Sequence, residues 1–228
     1  MKKLLKQMLH KATRQDYTVV LTMKSLGRTR DTDVFSEEYI RLSTLELAVR
    51  EIIDRGIAGA AAEVGVYRGD FAKHLNRLLP DRDLYLFDTF CGFEEQNIAH
   101  ELQNGSAVKH DDFTNTSVEL VLSKMQHPQK VRVLKGLFPA TTEGIADSTF
   151  ALVSLDCDLE NPILAGLEYF YPRLSAGGYI FVHDYNNALY RGVKSAVNKF
   201  CRENGVFPVP LTDSCGTAVI CKPAATKL

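Results

Sequence analysis

The sequence predicts a doubly wound α/β sheet, and three observations carry that prediction. From residue 57 onward, short apolar runs of strand length alternate with segments of helical spacing. The first run ends in a glycine-bearing turn that leads into a helix. Four of the run ends are polar or acidic, and in such sheets ligands bind beyond the carboxyl ends of the strands.

Composition narrows the classes. The 228 residues suffice for one large domain or two small ones, and 45% hydrophobic with 24% charged residues is ordinary for a globular chain. A formal net charge of -1 supplies no field to recruit nucleic acid. No apolar run reaches the roughly 18–20 residues of a membrane span. The start, Met1-Lys2-Lys3-Leu4-Leu5-Lys6, is basic, but no signal-peptide core follows it. Five cysteines, Cys91, Cys157, Cys201, Cys215 and Cys221, form no CxxC pair, so a reducing cytoplasm is expected rather than a disulfide scaffold or zinc ribbon.

Taken in order, residues 1–35 form an N-terminal helical arm or cap, and residues 36–228 the main domain. Leu4, Leu5, Met8, Leu9 and Ala12 share one face of a basic amphipathic helix. Such a helix either lies on a membrane surface or docks on its own domain or a sister subunit, and docking is favoured. Ser36 can cap a helix whose apolar positions run from Ile40 to Ile53. Ala58 to Val66 reads as the first strand, covered on both faces, and Phe71–Leu79 as the helix after its turn. Leu84–Phe87, Val131–Leu134, Phe150–Leu155 and Tyr179–Val182 read as four more strands. Ser117–Met125, Pro162–Leu174 and Gly192–Asn204 read as helices, with Pro162 suited to a first turn and Gly177-Gly178 to an exit into the fifth strand. Val206–Leu211 and Thr217–Lys222 close the chain as two strands joined near Asp213-Ser214. Residues 96–116, with Asn97, His100, Asn104, Gly105, His110, Asp111 and Asp112, are the least regular stretch and a candidate lid or substrate loop.

The chemistry-bearing residues sit at the strand ends. Gly65 and Gly69 bracket the first turn, where a ligand can approach the backbone and helix N-terminal amides can be aimed at it. The flanks do not give the Gly-x-Gly-x-x-Gly of a dinucleotide site. Glu63 is an acid in an apolar strand and needs a partner. Either it is structural, paired with Arg68 or a backbone amide, or it faces a cationic or hydroxyl-rich ligand. Asp88, about twenty residues past the glycine turn, stands where an acid accepts both hydroxyls of a ribose; the competing role is a turn cap with Thr89. Asp156, Asp158 and Asp184 end neighbouring strands, and three carboxylates suit a hard divalent ion such as Mg²⁺. Strand-end aspartates are also common without one. His183 is a ligand, a general base or a packed strand-end histidine. Arg68 and Lys135 read as solvated or ion-paired cations, Tyr67 as a nucleotide contact or a packed ring, and Asp213 and Cys215 as structural.

Together these residues resemble a known family. Glu63-Val-Gly-Val-Tyr-Arg-Gly69 is similar to motif I of class I S-adenosylmethionine-dependent methyltransferases, and more narrowly to the macrocin O-methyltransferase (TylF/MycF/NovP) family. Asp88-Thr-Phe-Cys-Gly-Phe93, Asp112–Val121 and Val133-Leu-Lys-Gly-Leu-Phe-Pro139 resemble further family segments. Leu155-Asp-Cys-Asp-Leu-Glu-Asn-Pro162, followed by Leu167–Gly178, is the most specific match, and His183-Asp-Tyr-Asn186 and Gly192–Phe200 complete the series in the family's order. The resemblance covers roughly residues 36–222. It implies a Rossmann-like seven-stranded sheet with an antiparallel last strand, the methyl donor S-adenosyl-L-methionine and, in characterised members, a Mg²⁺ ion that helps bind a sugar diol. Carried over by position, Glu63 and Gly65 line the methionine end of the cofactor, Asp88 holds the ribose, and Gly136 and its neighbours approach the adenine; Tyr67, Gly69 and Thr89 are further cofactor-binding residues. Asp156 contacts the donor, binds metal and serves as base. Asp184 and His183 complete the metal set, with His183 a second candidate base. The chain departs from the family at His183, where an aspartate is frequent, and imidazole suits Mn²⁺, Zn²⁺ or Fe²⁺ better than Mg²⁺. It departs again at Glu160, where tyrosine is common beside the acceptor.

The expected activity is an S-adenosylmethionine-dependent O-methyltransferase (EC 2.1.1.-) acting on a hydroxyl of a small molecule, a sugar or other vicinal diol. The expected setting is a cytoplasmic homodimer with no nucleic-acid partner and no membrane span, with a divalent metal (Mg²⁺ or Mn²⁺) as an optional aid. The competing class is a non-catalytic sensor or assembly protein that binds a nucleotide or S-adenosylmethionine on the same fold.

Overall fold

The computed structural model describes residues 2–12, 32, 36, 38–103, 105, 106, 108, 109, 112–145 and 148–224. It divides into two units, Met1–Ser36 and Glu37–Leu228. Within the first unit, helix α1 spans Lys2–Ala12, and Leu4, Leu5, Met8 and Ala12 are exposed on it. Most of the expected arm, including residues 13–31 and 33–35, lies outside the described residues.

The second unit begins with helix α2 (Tyr39–Asp54). The chain then alternates through β1 (Ala60–Val64), α3 (Ala72–Leu78), β2 (Leu84–Asp88), α4 (Glu95–Gln103), α5 (Val118–Ser123), β3 (Val131–Lys135), β4 (Phe150–Leu155), α6 (Glu160–Arg173), β5 (Leu174–Val182), α7 (Arg191–Asn204), β6 (Val209–Pro210) and β7 (Ala218–Cys221). The sheet order is β3-β2-β1-β4-β5-β7-β6. The first five strands are mutually parallel, and β7 runs antiparallel to both β5 and β6. This is the doubly wound, seven-stranded arrangement expected, with the last strand reversed. The strand order turns back between β1 and β4, so the cleft belongs at their carboxyl ends.

Period-two alternation in the strands sends side chains to two cores. Ala62, Val64 and Phe87 pack with Ile163, Leu167 and Phe170 of α6 and Val193, Val197 and Phe200 of α7. Ala61, Leu84 and Leu86 pack on the other face with Leu42, Leu45, Val49 and Ile52 of α2 and Leu75 of α3. Glu63, two residues after Ala61, and Ser154, between Val153 and Leu155, therefore face α2. That places two polar side chains on an otherwise apolar face, which decides where the site forms.

Several boundaries differ from expectation. β5 starts at Leu174, not at Tyr179, because Gly177 and Gly178 pair with the end of β7: the Gly177 amide donates to the Lys222 carbonyl at 2.8 Å and the Lys222 amide to Gly178 at 3.0 Å. The two glycines are thus sheet residues, and a Cβ on Gly178 would lie 2.7 Å from the Ala151 carbonyl oxygen. Ser36 does not cap α2, whose N-cap is Glu38 with no side-chain cap bond. The closing strands are shorter than Val206–Leu211 and Thr217–Lys222. Residues 95–103 are helical, so the irregular stretch begins only after Gln103; Asn104, His110 and Asp111 of that stretch lie outside the described residues.

Candidate active site

Parallel pairing continues one residue beyond the formal strand ends and so fixes the side chains there. The Gly65 amide donates to Phe87 O at 2.9 Å, Gly136 to Asp88 O at 2.9 Å, Asp156 to Val64 O at 2.8 Å and His183 to Leu155 O at 2.9 Å. Gly65 has φ +83°, and a Cβ there would come within 1.9 Å of the Asp156 carbonyl oxygen. The turn after β1 is therefore pressed onto the exit of β4, a contact that only glycine permits.

Asp156 is the hub of the site. Its Oδ2 accepts from Arg41 Nη2 at 3.0 Å, and its Oδ1 lies 2.9 Å from His183 Nδ1. The same His183 nitrogen is 2.8 Å from Asp184 Oδ2, so it bridges two carboxylates at ion-pair distance without a straight hydrogen bond to either. Asp184 Oδ1 accepts from Asn187 Nδ2 at 2.6 Å. Arg41 reaches in from α2, only 3% exposed. It also contacts Ser154 Oγ at 3.3 Å and Glu38 Oε2 at 3.7 Å, and its guanidinium lies 3.9 Å above the Phe71 ring.

The electrostatics follow from this packing. Burial would raise the Asp156 carboxyl, but the charges of Arg41 and His183 hold it well below the usual range. Burial would lower the His183 imidazole, but Asp156 and the contacts around it push it up to about 12. His183 is thus a cation at neutral pH and in that state carries no base. Burial first, then the nearby charges of Asp156 and Asp184, push Asp158 well above the carboxylate range. Glu63, 1% exposed, is pushed well up by burial and by Asp156, against the pull of Arg41, and its Oε2 is a buried oxygen without a hydrogen-bond partner.

The other expected residues have the following contacts. Asp88 Oδ2 accepts the Val66 and Tyr67 amides at 2.7 and 2.8 Å, and Oδ1 accepts the Phe90 amide at 2.6 Å. The amides of the glycine turn are thus aimed at Asp88. Thr89 Oγ1 closes a local turn on Gly92 O at 2.8 Å. Tyr67 bonds Asn115 Oδ1 at 2.5 Å, packs edge-on against Phe113 and accepts from Thr116 Oγ1 at its carbonyl. Arg68 is tied to Asn115 O at 3.0 Å, so residues 113–116 brace the glycine turn. Gly69 packs under Val121 of α5. Asp213 holds the closing turn through Thr217 N at 2.7 Å and Thr217 Oγ1 at 2.6 Å, the structural part expected of it.

Two groups were missed in the sequence. Arg41 and Glu38 sit in a stretch that reads as a packing helix, and the one available signal was a charge on its apolar side. Glu101 of α4 is fully buried; it accepts from Ser106 Oγ at 2.6 Å and from the Glu160 amide at 2.5 Å, and so caps α6. Glu160 in turn holds His100 Nε2 at 3.1 Å and Ser195 Oγ at 2.6 Å.

The donors suit a methionine-like ligand better than a metal. An unpartnered buried carboxylate oxygen on Glu63, beside the switch point, fits a cationic amino group. The expected metal set, Asp156, His183 and Asp184, is brought together, but its carboxylate oxygens and His183 Nδ1 are turned on one another and on Arg41 and Asn187. The all-oxygen group Asp156, Asp158 and Asp184 converges to within 4.8 Å, yet it draws on the same engaged oxygens of Asp156 and Asp184. The set as it stands does not fit a divalent ion.

Comparison with known proteins gives a consistent picture. Residues 4–222 match the family model described as macrocin O-methyltransferase (TylF). The chain is 26% identical, over 81% of its own length and 74% of the other's, to the 8-demethyl-8-(2,3-dimethoxy-alpha-L-rhamnosyl)-tetracenomycin-C 4'-O-methyltransferase of Streptomyces olivaceus. It is 25% identical, over 73% and 69% of the two chains, to the mycinamicin III 3''-O-methyltransferase of Micromonospora griseorubida. Its fold is similar to that of the calicheamicin methyltransferase CalS11, with a TM-score of 0.67 over 96% and 91% of the chains at 18% identity.

Proposed function

The chain belongs to the macrocin O-methyltransferase family of S-adenosylmethionine-dependent O-methyltransferases, and from that premise we propose that it methylates a sugar hydroxyl, one of a vicinal pair, on a small molecule. The observation that carries this is the family match along nearly the whole chain, and the rhamnosyl-bearing substrate named for one relative supports the acceptor class. The binding-only alternative has no observation in its favour.

When bound, S-adenosyl-L-methionine supplies a methyl group already activated by its sulfonium. Glu63 and the turn at Gly65, Tyr67 and Gly69 receive the methionine end, and the free Glu63 oxygen supports this assignment. Asp88, with Thr89, takes the ribose; its Oδ1, bonded to a single amide, keeps acceptor capacity for a hydroxyl. Gly136 borders the adenine.

Asp156 orients the acceptor hydroxyl. The hydroxyl oxygen forms the new bond to carbon as the carbon–sulfur bond breaks, and the proton passes to Asp156. A carboxylate with so low a proton affinity is adequate for a late transfer, because the protonated ether being formed is far more acidic than any carboxylic acid. The protein's main contribution is then alignment. His183, already protonated, acts as a fixed positive neighbour rather than as the base. No step requires a metal ion.

The setting proposed with this activity is the cytoplasm, in keeping with five free thiols, and the assembly proposed is a homodimer; light scattering that returned a monomer mass would remove the dimer. The activity itself is tested by incubating the protein with labelled S-adenosylmethionine and a panel of deoxysugar glycosides. Label in a sugar methyl ether is expected. S-adenosylmethionine binding with label transferred only to non-sugar hydroxyls would replace the acceptor class.

A further inference from the structure

We propose that in this chain two of the protein's own cations, Arg41 and His183, take the place of a divalent ion on Asp156, so that the site is built to work without metal. The inference rests on reading these strand ends as the transferase site, but its evidence is separate. Arg41 is buried and held by four groups at once: Asp156 at 3.0 Å, Ser154 at 3.3 Å, Glu38 at 3.7 Å and the face of Phe71 at 3.9 Å. A guanidinium fixed this way is a permanent charge that needs no titration to be present. His183 lies between Asp156 Oδ1 and Asp184 Oδ2 at 2.9 and 2.8 Å, with Nε2 at 3.8 Å from Glu38. A bare nitrogen lone pair at those distances would repel both carboxylates, so Nδ1 carries a proton and offers no ligand; with two carboxylates on Nδ1 and a third, Glu38, facing Nε2, the ring is held as the imidazolium.

All four oxygens of Asp156 and Asp184 thus already have a nitrogen partner: Arg41 and His183 for the first, His183 and Asn187 for the second. An ion coordinated at about 2.1 Å to either oxygen of Asp156 would stand within about 5 Å of Arg41 Nη2 or His183 Nδ1, a like-charge neighbour inside a largely buried site. The same two cations supply what the ion would have supplied, a positive field at the oxygen that loses its proton. Arg41 is in this sense a positioning residue: it acts on the acceptor through Asp156.

The test is metal binding to the full, chelator-treated chain, read without turnover. Free Mn²⁺ is followed by electron paramagnetic resonance and Zn²⁺ by calorimetry, in wild type, Asp156→Asn and the double variant Arg41→Gln, His183→Asp. S-adenosylmethionine affinity is measured on each protein to show that it is folded and ligand-competent. The expected result is no saturable site on wild type below about 1 mM, with affinity for Mn²⁺ rising at least tenfold (about 1.4 kcal/mol) in the double variant. An ion signal that survives in Asp156→Asn lies elsewhere and leaves Asp156 ion-free, as proposed. Micromolar Mn²⁺ or Zn²⁺ binding to wild type that disappears in Asp156→Asn would overturn the proposal, whether or not the double variant folds. Failure of S-adenosylmethionine to bind wild type would instead strike the transferase reading and leave the ion result standing on its own.

Discussion

At the scale of single residues, the site is organised by two acids in opposite states, Glu63 buried and Asp156 half-buried. Glu63, buried and near the Asp156 charge, holds its proton readily; Asp156, against Arg41 and His183, gives it up. The two call for different outcomes on neutralisation. Glu63→Gln removes a carboxylate that is costly to bury, so the thermal midpoint is expected to hold or rise. S-adenosylmethionine affinity should fall about 10- to 100-fold, the value of a charge-assisted hydrogen bond. Calorimetry beside a melting curve checks both, and unchanged affinity would take Glu63 out of the cofactor site. Asp156→Asn leaves Arg41 and His183 buried without their common counter-charge. Stability should fall by several kcal/mol and turnover by at least about 100-fold, while cofactor affinity stays within a few-fold of wild type. A variant that turned over normally would remove Asp156 as the proton acceptor.

At the scale of elements, legibility depended on whether a residue's partner was near in sequence. The strands, the helices between them and the polar strand ends show in local patterns, so Gly65, Asp88, Asp156 and His183 could be named beforehand. Arg41 could not be matched to Asp156, because 115 positions separate them and only the packing of α2 onto β1 and β4 joins them. Helix α4 was missed because Glu95–Gln103 has too few apolar positions for a clear stripe. Its order comes from the buried Glu101 clamp on Ser106 and on the start of α6. The start of β5 was misplaced because a glycine pair reads as a turn until β7 is known to pair with it. The contact between the β1 turn and β4 makes the prediction proper to this scale. Gly65→Ala forces a side chain into the Asp156 carbonyl and an L-residue into a left-handed conformation. The overlap alone should cost about 1–3 kcal/mol and the conformation about 1–2 more, with loss of the cofactor site as the turn backs away. A melting point within 2 °C of wild type, at about 2–4 °C per kcal/mol for this size, would show that the turn is not held against β4.

At the scale of the whole molecule, four segments distant in sequence, α2 and the ends of β1, β4 and β5, close on one charge cluster, so folding and protonation are coupled there. The folded His183 imidazole titrates at about 12, against about 6.5 in the unfolded chain. Its contribution is therefore fully present below pH 6.5 and is lost progressively as pH rises toward 12. Across that window the folded state holds one more proton than the unfolded state, and the slope is about 1.4 kcal/mol per pH unit, whatever the full size of the shift. On a chain of this length that corresponds to about 3–6 °C in melting temperature per unit. The depressed Asp156 carboxyl reports the same ion pair from the acid side and adds no second contribution on the alkaline limb. Other groups titrate above pH 7, so the informative quantity is the difference between wild type and His183→Asn, whose amide keeps polar contact but carries no proton to lose. That difference should favour wild type most below pH 6.5 and shrink by about 6–12 °C between pH 7 and pH 9. A gap that stays flat across those two units would mean that His183 is neutral in the folded chain. It would then be open as a ligand or base, and the positive field on Asp156 would rest on Arg41 alone.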